Sequence, residues 1–290
     1  MVYNEVNGAT MTITESKSLG TIRVSQFGNV KIHSYVSPAD GWKVTSQIVE
    51  GPKQLVIFDG QLLLPYAAEV ATYAAGLGKP VERIVLSHGH PDHWSGLQVL
   101  TEKFPSAKVY ALPGIADALN AQGQYILTAL RPGFGDKIAD KVTVPTGVIR
   151  EGKETIDGVV YDFKRYLDAE SDLQLVALLP EQKVLMAFDL VFPAKDHLFT
   201  IGDHFDHWIS ILDELKAMGG YDTVLVGHDG PVDSAAFEAT KAYLKKAKEA
   251  YAVSSDAKSY AEKLKAAFPE RQQSGWIDFS SQLLYSKPKS

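Results

Sequence analysis

Seven side chains in this sequence combine type and position in a way that could hold metal ions. His88, His90, Asp92 and His93 are packed into S-H-G-H-P-D-H-W-S-G, and Glu170, Asp189 and His228 follow downstream. Three imidazoles and a carboxylate within six positions form a donor set dense enough for divalent cations, and such cations activate water for hydrolysis. The spacing H-x-H-x-D-H has a physical logic. His88 and His90, two apart on an extended segment, point the same way and can share one metal. Asp92 and His93, one step further into the loop, can reach a second metal beside the first.

Rigid elements must bring these donors to one point. The apolar run V-E-R-I-V-L (81–86) reads as a buried strand that ends in the His-rich loop. Asp189 follows K-V-L-M-A-F and His228 follows T-V-L-V-G, so each of them also ends a strand. Upstream, T-I-R-V-S-Q-F-G, V-K-I-H-S-Y-V, T-S-Q-I-V-E-G and Q-L-V-I-F-D-G read as strands, and residues 63–77 as a helix closed by Gly78 and Pro80. Downstream come a helix near 95–104, a strand K-V-Y-A-L-P and a helix from about 114 to 130. Four further strand candidates are V-T-V-P, V-V-Y-D-F-K-R-Y, L-Q-L-V-A-L-L-P and K-V-L-M-A-F-D. A helix at 208–218, the strand D-T-V-L-V-G-H and a helical tail from Asp233 to about Phe268 complete the order. No low-complexity linker divides the chain. Two β-rich halves with helices after their strands predict an α/β fold, a four-layer αββα sandwich over residues 1–290 with a C-terminal helical extension at about 233–290.

Composition narrows the function classes. The 290 residues are 45% hydrophobic and 22% charged, with a net charge of −6, so no basic field is available for nucleic acid or anionic lipid. A small-molecule substrate is expected, with no nucleic-acid or membrane partner. The chain has no cysteine, which excludes thiolate ligands and disulfides and leaves histidine and carboxylate donors. No segment approaches the ~18 apolar residues of a membrane span. The opening M-V-Y-N-E-V-N-G-A-T-M-T-I-T-E-S lacks a basic start and an apolar stretch, so a cytoplasmic location is the default expectation.

These motifs resemble those of the metallo-β-lactamase-fold hydrolases. H-G-H-P-D-H matches the family's H-x-H-x-D-H, A-F-D-L-V-F its bridging-Asp segment and G-H-D-G-P-V its last-His segment, over roughly residues 20–232. The resemblance implies two divalent metal ions, zinc first, with manganese or iron(II) as alternatives. His88, His90 and Glu170 would hold one, Asp92, His93 and His228 the other, with Asp189 bridging. L-V-I-F-D-G is similar to the family's early strand, in which Asp59 would support the metal loop. There is one departure. The family usually has a histidine between the loop and the bridging Asp, whereas D-A-E-S-D-L-Q-L-V-A-L-L-P places Glu170 there, with Asp168 as the nearest competitor. A Glu at this position resembles the alkylsulfatase branch, whose members carry large additional domains. Three carboxylates among the ligands would weaken the metals as Lewis acids, so bound water would be harder to deprotonate than the pKa of about 7 at the best zinc sites. Oxygen donors also tilt preference toward manganese or iron.

The activity implied is hydrolysis of an ester, lactone, amide or sulfate ester by metal-activated water, with Asp92 or Glu170 as proton acceptor. In the family the stretch after the bridging Asp borders the site's mouth, which makes Phe199, His204, Phe205, His207 and Trp208 candidate pocket walls. Alternatively, Trp208 packs its helix onto the sheet and the histidines face water. Residues 114–136 lie where a family insertion forms a lid; Phe134 is a further pocket candidate, Arg131 sits beside it, and Tyr125 is expected in the core. K-A-Y-L-K-K-A-K-E-A reads as a solvated helix face. Its apolar side and the terminal W-I-D-F-S-S-Q-L-L-Y are candidates to pack on the domain or to form a homodimer. His33 reads as structural. Two other functions fit the resemblance: a mononuclear iron oxidoreductase similar to the sulfur-oxidising members, and a non-catalytic small-molecule-binding member of the fold.

Overall fold

The computed structural model describes residues 20–286 and the backbone of two strands before them, β1 (Tyr3–Val6) and β2 (Ala9–Thr14). The rest of the opening segment, on which the expected location rests, lies outside the described residues. β1 and β2 start an antiparallel run that continues through β3 (Thr21–Phe27), β4 (Val30–Val36), β5 (Thr45–Glu50) and β6 (Leu55–Phe58). Helix α1 (Leu64–Gly76) then crosses to β7 (Val81–Val85), which lies parallel to β6. A single turn α2 (Pro91–Trp94) and helix α3 (Leu97–Lys103) lead to β8 (Lys108–Ala111). Helix α4 (Pro113–Phe134) leads to β9 (Gly147–Val148), and both strands extend the sheet in parallel. Parallel neighbours need a crossover rather than a tight turn, which is why helices appear here and not earlier.

The second sheet begins with β10 (Gly152–Ile156), β11 (Val159–Leu167), β12 (Leu173–Leu179) and β13 (Val184–Phe188), all antiparallel. Helix α5 (Phe205–Met218) crosses to β14 (Thr223–Val226), parallel to β13. Helices α6 (Ala235–Val253), α7 (Ala257–Ala267) and α8 (Ser274–Ser286) follow.

Alternation along the strands makes the layers. Leu175, Ala177 and Leu179 of β12, with Val184, Met186 and Phe188 of β13, join a core shared with the first sheet. Val176, Leu185 and Ala187 point the other way, into a second core with Trp208 of α5 and Phe237 and Leu244 of α6. Phe58 meets both Tyr161 and Phe188 across the sheet interface, at ring-centroid distances of 6.1 and 5.9 Å. With α1, α3 and α4 on the first sheet and α5 to α8 on the second, the chain is a four-layer αββα sandwich.

Two strand expectations change. V-T-V-P is not a strand; the first sheet's last strand is Gly147–Val148, just beyond Pro145, a residue that cannot donate to a ladder. G-K-E-T-I is a strand that polarity disguised. Its signal is the Asp157–Gly158 dipeptide, both residues at positive φ (49° and 79°), which closes a two-residue hairpin between Ile156 and Val159. Asp157 Oδ2 also accepts hydrogen bonds from the Lys53 and Gln54 amides, so this turn ties the two sheets together.

Candidate metal centre

The donors sit where the parallel strands end. Asp59 follows β6, the His-rich loop follows β7, Asp189 follows β13 and His228 follows β14. A register shift between Met186 and Phe188 bends β13 just before Asp189, and Phe188 adopts φ +46°. A bulge of this kind re-aims the next side chain.

The seven residues converge in two groups. Candidate ligand atoms of His88, His90, Glu170 and Asp189 lie within 4.8 Å of one another, as do those of Asp92, His93 and His228. Asp189 stands between the groups: its Oδ2 is 3.1 Å from His228 Nε2, 3.4 Å from His93 Nε2 and 3.8 Å from His88 Nε2. Glu170 Oε1 is 2.9 Å from His90 Nδ1, and Asp92 Oδ2 is 3.4 Å from both His93 Nε2 and His228 Nε2. Asp168, the competitor, is exposed on a turn at φ +50°.

Three of the four imidazoles are oriented from behind. His93 Nδ1–H donates to Asp59 Oδ2 at 2.9 Å, and Asp59 also accepts from the Ser87 amide and hydroxyl, both at 2.8 Å. With its hydroxyl proton on Asp59, Ser87 accepts from His88 Nδ1, which leaves Nε2 of His88 facing the centre. His228 Nδ1 donates to the Trp42 carbonyl at 2.8 Å. Gln174, inward-facing on β12, donates to Glu170 Oε2 at 2.7 Å. Among the buried side-chain atoms without a hydrogen-bond partner in the described residues, four converge here: His88 Nε2, His93 Nε2, Glu170 Oε1 and Asp189 Oδ1. Buried polar atoms are ordinarily satisfied, so four converging orphans mark a place built for a further charged group. Gly227 belongs to the same design, because a Cβ there would lie 1.7 Å from Asp189 Oδ1.

The electrostatics are strongly coupled. Burial, reinforced by His93, drives the His88 imidazole well below its ordinary pKa. Burial opposes protonation of His93 too, but Asp189, Asp92 and Asp59 outweigh it and raise that group well above its ordinary value. Burial would raise Asp189, yet His93, His228 and His88 hold it well below the carboxylate range. Glu170 is pushed up to about 7 by burial first, with His90 pulling the other way and Asp189 and Asp92 adding to the rise.

A cavity of about 370 Å³ opens beside these residues, with His90, Asp92, Glu170, Asp189 and His228 in its wall. Of the pocket candidates only Phe199 lines it. Phe134 lies one layer back, packed edge-on against the wall residue Trp42 at 5.7 Å. Phe205 and Trp208 are buried in the second core, where Phe205 meets Tyr251 and the Trp208 indole donates to the Leu190 carbonyl. His204 caps the exposed start of α5, and His207 on the same helix bonds the Leu167 carbonyl away from the cavity. The cause is the start of α5 at Phe205, which turns Phe205 and Trp208 onto the second sheet and leaves His204 and His207 exposed, as the alternative reading of this stretch expects. Tyr125 corrects in the opposite sense: it is 77% exposed at the cavity mouth rather than in the core. Arg131 bonds the Gly135 and Ala139 carbonyls at the end of α4. His33 lies apart, bonded to Tyr73 and Glu50.

Sequence reasoning missed Trp42, Gln174, Gly227 and the wall formed by Trp276, Phe279 and Leu283. The last three sit at i, i+3 and i+7, a helical face that was readable as a stripe but not assignable to a partner. Gln174 was visible as one polar residue inside an apolar strand.

Comparison with known proteins points the same way. A family model described as the metallo-beta-lactamase superfamily matches residues 39–228. A linear primary-alkylsulfatase of Pseudomonas sp. (strain ATCC 19151) is 25% identical over 219 residues, 64% of this chain and 41% of that protein. The chain spans less than half the length of each of the curated relatives it matches. Among solved structures, a metallo-beta-lactamase from Pontibacter korlensis aligns with TM-score 0.57 and 17% identity, covering 81% of this chain and 99% of that one. The stereoselective inverting sec-alkylsulfatase Pisa1 from Pseudomonas sp. aligns with TM-score 0.57 and 18% identity, covering 87% and 48%.

Proposed function

Because this chain belongs to the metallo-beta-lactamase superfamily, we propose that it is a metal-dependent hydrolase with a dinuclear zinc centre, acting on an ester-type bond. The observation that carries this reading is the pair of ligand groups with four orphaned buried atoms between them. Donor chemistry fits the metal: imidazole and carboxylate, no thiolate, in two sets of three with Asp189 between them. His88, His90 and Glu170 would hold one ion, Asp92, His93 and His228 the other, and Asp189 both. Divalent cations so held supply Lewis-acid polarisation and a water nucleophile near neutral pH.

The chain's own residues do the positioning. Asp59, Ser87 and the Trp42 carbonyl fix three imidazoles with Nε2 turned inward, so these three are already oriented for an ion. Gln174 holds one oxygen of Glu170, and the other, 2.9 Å from His90 Nδ1, belongs to the first ligand group. Asp92, in the cavity wall, is the group we assign to take the proton from the attacking water at its carboxylate. Sulfate esters come first among the substrates to be tried, since the curated relatives are named as alkylsulfatases. Carboxylic esters, lactones and amides follow.

The test is turnover of such a panel before and after chelation, in the parent and in Glu170→His. Chelation should abolish turnover and zinc should restore it. The variant should keep its metal content while its activity and pH profile shift, because a carboxylate ligand has become an imidazole. Turnover indifferent to chelation, or a Glu170→His profile identical to the parent's, would count against the assignment.

A further inference from the structure

Among the described residues, the wall of the cavity beside the candidate ligands contains no lysine or arginine; its acidic side chains are Asp92, Glu170 and Asp189, all assigned above to the centre. Away from these ligands the wall is mostly apolar, with Gln122 an uncharged polar exception. α4 contributes Ile126, Ala129 and Leu130, and α8 faces them with Trp276, Phe279 and Leu283. Six large hydrophobic side chains are exposed among the described residues, and three of them, Tyr125, Phe279 and Leu283, stand at this one mouth. Exposed apolar groups scattered singly need no explanation, but a cluster at the rim of a cavity marks a contact surface.

An aromatic path leads inward from that rim. The Phe279 ring lies 5.9 Å from Phe199, and Phe199 lies 5.6 Å from the candidate ligand His90. Trp276 sits 4.8 Å from the ring of His228. The path connects the surface to the point where a bond would be broken. α8 also lies beyond residues 39–228, so this half of the wall is supplied by a part of the chain outside the superfamily match.

We propose that the part of the substrate that does not react is an uncharged apolar tail, alkyl or aryl, seated between α4 and α8, and that Phe279 and Leu283 set the tail it accepts. The proposal rests on the hydrolase reading for its reacting end. Its physical basis is charge: a second anionic group on the substrate, such as the carboxylate of a β-lactam, would find no lysine or arginine among the described residues of this wall. A neutral tail meets no such penalty and gains from burial. At about 370 Å³ the cavity lies near the small end of the roughly 300–1,000 Å³ usual for ligand sites, which suits one ring or a chain of moderate length.

The experiment uses the full metal-loaded chain and the unreactive neutral probes 1-hexanol, 1-octanol and 1-decanol, followed by tryptophan emission, since Trp42 and Trp276 line the cavity, and by calorimetry. Kd should tighten by about fourfold per methylene until the cavity is filled. Phe279→Ser and Leu283→Ser, both partly exposed in the parent, should each weaken 1-decanol by about tenfold. Val253→Ser, exposed on α6 and absent from the cavity wall, should leave Kd unchanged. Alkanols are not hydrolysed, so the two readings fail separately: length-dependent binding without turnover of any ester keeps the tail site and removes the hydrolase. Binding that ignores chain length in the parent, or rim variants that match it, would overturn the proposal even in a working hydrolase.

Discussion

Asp59 shows how much of the centre is built by residues that need not touch a metal. It is fully buried and accepts from Ser87 twice and from His93 once, fixing the tautomer that turns His93 Nε2 inward. Asn at this position keeps the volume but replaces one acceptor oxygen with a donor amide. Asp59→Asn should fold and lower metal affinity by about 10–100-fold, the usual cost of losing such a partner, as read by zinc titration against a chromophoric chelator. Affinity equal to the parent's would show that His93 needs no orienting group. Six of the seven candidate donors were legible in the sequence because their spacing and strand context are local properties, whereas Glu170 was placed through the family resemblance. Their supports were legible only in part. Asp59 came from a resemblance, Gly227 matters through Asp189 and His93, far along the chain, and Gln174 through Glu170, a contact that no local pattern displays.

At the scale of elements, the strands and crossovers that carry the site were readable from apolar runs, and the errors cluster where polarity hid a strand or a helix began early. β10 is the first case, with the polar G-K-E-T-I held by its hairpin partner. α5 is the second: starting at Phe205, it turns Trp208 into core and carries His207 away from the cavity. The C-terminal helices were legible as helices but not as active-site wall, because a helical stripe does not name what it covers. α7 carries none of the candidate ligands. Its N-cap Asp256 accepts from the Ser259 amide at 2.8 Å. Asp256→Ala should cost about 1 kcal/mol, seen as a Tm fall of roughly 2–4 °C. Bound metal should be unchanged; a parallel loss of metal would mean that α7 and the centre are one cooperative unit.

Across the whole molecule, acid sensitivity should come in part from a histidine outside the centre. His197 is buried against Tyr243, with its Nδ1 3.0 Å from the phenol oxygen, and burial, then Arg271 and Lys265, bring its pKa down to about 4. The unfolded chain takes up this proton near 6.5, the folded chain only near 4. Stability from this group is therefore complete above about 6.5 and lost as pH falls from there toward 4. Urea unfolding of the parent and His197→Gln at pH 7 and pH 4.5 should show the parent losing more stability than the variant over that interval. Equal losses would remove His197 as a cause.

The measurement that bears most directly on the central claim is elemental analysis of the full chain, purified without added metal and again after reconstitution, with each of the two ligand groups disabled in turn. The account predicts about two zinc ions per chain, falling to about one in His88→Ala and in His228→Ala. A single iron per chain, or no metal retained or regained, would contradict it.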